Sequence, residues 1–444
     1  MSGAPSRIDF RAYNVGFGDC LLLSFTYTQP IDGRAERHIL IDFGTNKAAV
    51  GGPSLRDVAA MIEADTSGKL DVVVLTHRHR DHLSGFDPAI GGLTIAKLKP
   101  DAVVRPWTEM PDTAPPAPAP PAPGAHGHTL ADPSGAATTP NQRRLLDILD
   151  SGGRFARELT MVPFAGRLSV AESALAGMAA MQIGNDRAIG QLNELASVGS
   201  AHYLRFGDPL ALDMLPGVSL SVLGPPDPDV WPAILKQAAQ STEYWLGAGS
   251  ADPAALAAAA AGTPIQAGPD AARLLGPGPG RWLIDRLDDH LVRSAERLVH
   301  QLDGVLNNTS LVLLIEAAGH RILLPGDAEI ENWSYALTAA PGHAAIAESL
   351  KGVELWKVGH HGSRNATPRL SLFPLLAQTP PARVAVMSTL VGFYDKTNPV
   401  PNQALLDSLA LPPFTLLRTD KARADGAKAV HVAAVGAKPF GPAD

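Results

Sequence analysis

Thr76-His77-Arg78-His79-Arg80-Asp81-His82 follows directly on the apolar run Asp71-Val72-Val73-Val74-Leu75. A short β-branched run bounded by polar residues reads as a buried strand, so the polar cluster falls on the loop at its end. Three histidines and one aspartate lie within six residues there. Imidazole nitrogens and carboxylate oxygens are the ligands preferred by zinc and its neighbours, and a loop on a rigid strand holds them where water and substrate can reach. The His-x-His-x-Asp-His spacing separates them into pairs, with His77 and His79 turned toward one metal and Asp81 and His82 toward a second. A one-metal site uses the same residues and stays open at this point.

Such a centre has a definite chemistry. A divalent cation held by carboxylate and imidazole lowers the pKa of bound water from ~15.7 toward ~7, and a second cation polarises the oxygen under attack. Hydrolysis by a metal-bound hydroxide is the expected reaction. Asp81 has a second role open to it, because a carboxylate beside the nucleophilic water can orient it or take its proton. Asp42 ends the apolar stretch Ile39-Leu40-Ile41. It reads either as a carboxylate bonding a ligand imidazole from behind or as a turn-capping residue before Gly44.

The cluster and its surroundings resemble the metallo-β-lactamase superfamily, in particular the branch that includes the extracytoplasmic domain of the competence protein ComEC. Upstream, Asn14-Val15-Gly16-Phe17-Gly18-Asp19-Cys20 before Leu21-Leu22-Leu23, and Ile39-Leu40-Ile41-Asp42-Phe43-Gly44, look like that branch's opening strands. Downstream, Asn307-Asn308-Thr309-Ser310-Leu311-Val312-Leu313, Leu323-Leu324-Pro325-Gly326-Asp327-Ala328-Glu329 and Lys357-Val358-Gly359-His360-His361-Gly362-Ser363 look like three further blocks in the right order. The resemblance implies an α/β fold, a four-layer αββα sandwich with a binuclear site at its edge. It places Asp327 as the metal-bridging carboxylate and His361 as the last metal ligand. His360 becomes a substrate-side or proton-donating histidine, since adjacent strand residues point to opposite faces. Two divalent ions are implied, zinc first, with manganese or iron accepted by the same ligands.

The chain departs from the family pattern twice. Gly224, in Leu220-Ser221-Val222-Leu223-Gly224-Pro225-Pro226, stands where some relatives carry a third histidine for the first metal; His202, His126 and His128 are the substitutes available or else ordinary surface histidines. Asn398 precedes Pro399 where relatives often have His-Pro, so a supporting proton donor is changed.

Arg78 and Arg80 interleave with the ligands, and Ser363, Arg364 and Asn365 follow the last one. Guanidinium matches phosphate. If these arginines face the cleft they favour an anionic small molecule or nucleic acid; otherwise they point to solvent or pair with acids on neighbouring loops. Phosphodiester hydrolysis leads through the resemblance, with lactone, lactam or thioester hydrolysis and a non-catalytic metal-binding role as alternatives.

Composition sets outer bounds. A chain of 444 residues, 45% hydrophobic, suits one catalytic domain over 1–444 with insertions at about 106–200 and 229–300. The formal charge of −7 argues against a broad cationic surface for wrapping nucleic acid. Cys20 is the single cysteine, which excludes an intramolecular disulfide, and it reads as a small buried thiol. No run approaches the ~20 apolar residues that span a bilayer and no apolar signal core opens the chain, so a cytoplasmic protein without a membrane part is expected. Strands are expected at Ile8–Tyr13, Leu21–Tyr27, His38–Asp42 and Val72–Leu75, and helices at Asn141–Leu149, Ile189–Ala196 and Arg281–Leu302. Pro111 to Gly124 is a proline-alanine segment expected to run extended, either across the mouth of the site or as a passive insertion.

Overall fold

A computed structural model describes residues 3–111, 138–149, 185–238, 241–245, 302–379, 381–392, 399–424 and 428–443. The expectations for Asn398, His126, His128, the proline-alanine segment from 112 onward and the charged helix over 281–301 fall outside them.

The described chain is mixed α/β, built on two mixed sheets. The first half supplies β1 (Arg7–Tyr13), β2 (Cys20–Ile31), β3 (Arg34–Phe43), β4 (Val72–Val74), β5 (Ala102–Pro106) and β6 (Ser200–Leu204). The second supplies β7 (Val218–Gly224), β8 (Val312–Ala317), β9 (His320–Leu324), β10 (Leu355–Lys357), β11 (Arg383–Met387) and β12 (Phe414–Arg418). The last strands, β13 (Ala429–Val435) and β14 (Lys438–Pro442), return to the first sheet. Its order is β14-β13-β1-β2-β3-β4-β5-β6, and that of the other sheet is β12-β11-β10-β9-β8-β7. All four expected strands form, and the expected helices at 141–149 and 189–196 lie in helical segments, the latter inside Asp186–Val198.

Side-chain alternation assigns the faces. Ile8, Phe10, Leu21, Leu23, Ile39, Ile41, Val72 and Val74 of the first sheet share one apolar cluster with Leu313, Ile315, Ile322, Leu324, Leu355, Val384 and Val386 of the second. Odd and even residues of one strand point to opposite faces, so the intervening Leu22, Leu40, Val73 and Val103 pack instead against α1 (Leu55–Asp65) and α2 (Asp186–Val198). On the far side, Val312, Leu314, Leu323, Trp356 and Ala385 pack against α3 (His343–Lys351) and α4 (Gln403–Leu409) through Leu350, Leu405 and Leu409. The α1 amphipathic face carries Leu55, Val58, Ala59 and Ile62, and a reciprocal Ser54–Asp57 capping box fixes its start.

Strands β3 to β6 run parallel, as do β9 to β12. Their carboxyl ends therefore collect on one edge of each sheet, the position where open α/β sheets present ligand-binding loops. β2 starts at that edge too, because Cys20 pairs with Phe43 at the end of β3. Among the described residues, no helix is long and apolar enough to cross a membrane.

Candidate metal centre

The loops leaving β4, β9 and β10 meet. Asp81, His82, Asp327 and His361 are all buried, and each offers a ligand atom within 4.8 Å of the others. A second group, Asp19, Asp42 and His82, satisfies the same limit. These buried groups are capable of holding a metal ion. His82 Nε2 lies 3.1 Å from Asp327 Oδ2, and His361 Nε2 lies 3.1 Å from Asp81 Oδ2 and 3.6 Å from Asp327 Oδ2. His77 and His79 belong to neither group. They form the adjoining pair, His77 Nε2 to His79 Nδ1 at 2.9 Å, and the His77 and His82 rings are 4.2 Å apart. Asp81 and His82 thus fall in one group, with His77 and His79 beside it.

Local backbone geometry is specialised. Asp42, His360 and His361 have φ of 55°, 43° and 51°. Left-handed conformation costs a non-glycine residue about 1–3 kcal/mol, sustained only where the surroundings over-determine it. For His361 they do: its Nδ1 is 3.0 Å from the Ser388 carbonyl, and its ring packs 4.4 Å from Phe17. His360 and His361 lie in a tight turn, His360–Gly362, and not in a strand. The strand-alternation argument for separating them therefore does not apply; the turn separates them instead. His361 is fully buried against Asp81, whereas His360 stands farther off, Nε2 3.9 Å from Asp327 Oδ2 and Nδ1 3.8 Å from Glu329. Gly44 lets the loop at Arg80 and Asp81 come close, since a Cβ there would fall 2.5 Å from the Arg80 carbonyl oxygen. The Asp81 carbonyl in turn accepts from the Asp19 N–H at 2.9 Å.

Asp42 acts on the cluster from behind. Its Oδ1 accepts from the Thr76 N–H at 2.7 Å, and its Oδ2 lies 2.7 Å from both Thr76 Oγ1 and His82 Nδ1. Of its two expected roles, the structure places it in the imidazole-bonding one.

Electrostatically the cluster favours positive charge. Burial works to neutralise His82, but Asp327 and Asp42 at its two nitrogens raise its pKa well above the ordinary value. His361 is raised against burial in the same way by Asp327, Asp19 and Asp81. Burial likewise opposes ionisation of Asp81, yet the bond from His361 and the charge of His82 hold it down to about 2. His77, lacking a bonded carboxylate, is pushed well below the usual histidine range by burial and by its histidine neighbours.

Three site residues carried no assignment from sequence. Asp19 and Lys357 form a buried ion pair, and Lys357 Nζ also lies 3.3 Å from Asp327 Oδ1. The signal was present: a lysine inside the apolar run Leu355-Trp356-Lys357-Val358 must find buried carboxylates. Glu329, buried, accepts from Asn307 Nδ2 at 2.9 Å, and burial with neighbouring Glu331 raises its pKa well above the usual carboxylate value.

The expected anion-binding residues divide. Arg78 makes a two-pronged pair with buried Glu109, at 2.8 and 3.1 Å, and its carbonyl accepts from Asn185. Arg80 is exposed. Ser363 and Asn365 are buried and bond one another at 2.6 Å, and Arg364 lies 5.4 Å over the Tyr244 ring. His202 sits on strand β6, bonded to Ser200 Oγ at 3.1 Å. At Gly224 a Cβ would point at Val312 and Asn332, 3.0 and 3.1 Å away. Cys20 is buried in β2, and burial raises its thiol pKa well above normal.

Compared with known proteins, the chain matches no family model and no curated protein.

Proposed function

We propose that this chain is a metal-dependent hydrolase with the four-layer αββα metallo-β-lactamase sandwich, acting on phosphodiesters. The observation that carries the reading is the convergence of Asp81, His82, Asp327 and His361 from loops that are distant in sequence. Three apolar clusters, one between the sheets and one under each helical flank, support the sandwich.

The donor set fits divalent cations. Two carboxylates, Asp81 and Asp327, lie buried in one group with His82 and His361, a mix of oxygen and imidazole donors suited to a divalent cation. His77 and His79 would hold one cation, His82 and His361 the other, with Asp81 and Asp327 supplying carboxylates between them. Cations bound there supply Lewis acidity and make water acidic near neutral pH. Asp81, held as a carboxylate, orients the attacking water. His360, at the edge of the cluster and partly exposed, is placed to donate a hydrogen bond to the leaving oxygen. Arg80 supplies positive charge on the outer side of the ligand loop.

The test is hydrolysis of bis(p-nitrophenyl) phosphate by protein loaded with zinc or manganese, beside a His79→Ala variant. Metal-dependent turnover lost in the variant is expected. A fully loaded, inactive wild type would instead favour an uncharged acyl substrate, a lactone, lactam or thioester, for which the Arg78–Glu109 pairing is the supporting observation.

A further inference from the structure

Each imidazole has two nitrogens, and only one can face a cation in this cluster. His77 Nδ1 lies 3.1 Å from Thr76 Oγ1, His82 Nδ1 2.7 Å from Asp42 Oδ2, and His361 Nδ1 3.0 Å from the Ser388 carbonyl. All three therefore offer Nε2. His79 is reversed: its Nδ1 approaches His77 Nε2, while its Nε2 looks away from the cluster, 3.5 Å from Asp303 Oδ1. His79 is buried, and that Nε2 makes no hydrogen bond, its approach to Asp303 included.

Asp303 is well held. It lies on a helical segment, 302–307, whose Leu302, Val305 and Leu306 are buried, the last two in an apolar cluster with Trp107, Leu145 and Ile234. Gly304 abuts Gln237 so closely that a Cβ would fall 2.6 Å from the Gln237 Cβ. The Asp303 side chain remains about one-third exposed, at 32%.

From this placement we propose that Asp303 is the positioning residue for His79. Where a divalent cation replaces the proton between His79 Nδ1 and His77 Nε2, the Asp303 carboxylate would accept the Nε2–H and hold His79 in the tautomer that offers Nδ1. The inference rests on the hydrolase reading above and adds to it a residue from outside every sequence block that suggested the site. Histidines that ligate metals commonly hand their other N–H to a carboxylate, and losing that partner costs roughly 10- to 100-fold in metal affinity.

The experiment uses the full chain, labelled with ¹⁵N at histidine, metal-free and then titrated with ¹¹³Cd²⁺. Expected in the cadmium-loaded protein are ¹¹³Cd–¹⁵N coupling at His79 Nδ1 and His77 Nε2 and a proton on His79 Nε2. Asp303→Ala should weaken cadmium binding at this pair about 10- to 100-fold, with Asp303→Asn, which keeps an acceptor oxygen, in between. Coupling at His79 Nε2, or an unchanged affinity in folded Asp303→Ala, overturns this inference alone. A wild type that binds no cadmium overturns both it and the hydrolase reading.

Discussion

His361 and Asp81, 280 residues apart in sequence, meet at 3.1 Å through Nε2 and Oδ2 inside a fully buried cluster. Two groups that serve one centre should fail together. Asp81→Ala and His361→Ala are each expected to lower hydrolysis by roughly 10²-fold or more, and the double variant should be little worse than either. Metal content after dialysis and steady-state rates check this. Full metal occupancy with undiminished turnover in both single variants would remove these residues from the centre.

Gly326 sits just before Asp327 with φ of +55°, and a Cβ there would fall 2.9 Å from the Thr76 Cβ and 3.1 Å from the Ser310 Cβ. Gly326→Ala adds backbone strain and a clash that neither neighbour can relieve by swinging a flexible chain. A loss of about 1–3 kcal/mol in unfolding free energy is expected, with metal binding impaired alongside. Denaturant unfolding with the metal removed isolates the first effect, and a stability equal to wild type would contradict the packing described.

Much of this candidate centre was legible in the chain because its residues sit where apolar runs stop. His77 to His82 follow Val72-Val73-Val74-Leu75, Asp42 follows Ile39-Leu40-Ile41, and Asp327 follows Ile322-Leu323-Leu324. An apolar run must be buried and a charged residue at its end must be satisfied, so strand ends announce themselves. Asp303 gives no such sign: it lies in an ordinary helical pattern, and its approach to His79 is decided by how a distant segment packs. The pairing of Arg78 with Glu109 was open for the same reason, since the partner comes from the loop after β5. The turn at His360 and His361 was missed because left-handed backbone, though commoner for histidine than for most residues, is still too rare to be expected at two successive positions.

His38 predicts a pH dependence away from the centre. It is buried on β3, 2.8 Å from Ser24 Oγ, and burial lowers its pKa from 6.5 to about 4. In the unfolded chain it takes up a proton near 6.5, whereas the folded chain resists until about 4. The unfolded state thus binds more protons in this window, and stability falls as pH drops from about 6.5 through about 4, then levels off. The full span is on the order of 3 kcal/mol. Chemical denaturation between pH 7 and pH 4 should show this slope in wild type and a reduced one in His38→Gln; identical slopes would assign the effect elsewhere.

Arg78 and Arg80 flank the same histidine, His79, yet should behave oppositely on substitution. The Glu109 side chain is 1% exposed and Arg78 is 24% exposed, so removing the guanidinium leaves a buried carboxylate without its two-pronged partner. Breaking a fully buried pair costs about 3–5 kcal/mol. Partial solvent access at Arg78 reduces the expectation for Arg78→Ala to about 1–3 kcal/mol. The double variant Arg78→Met with Glu109→Met should recover much of that loss, because the unpaired charge is gone. Arg80 is exposed, so Arg80→Ala should leave stability within about 0.5 kcal/mol of wild type and raise KM for an anionic phosphodiester, increasingly so at low salt. Unfolding curves and salt-dependent kinetics on the four proteins separate the roles. A rise in KM with unchanged stability in Arg78→Ala would return that residue to the substrate side of the loop.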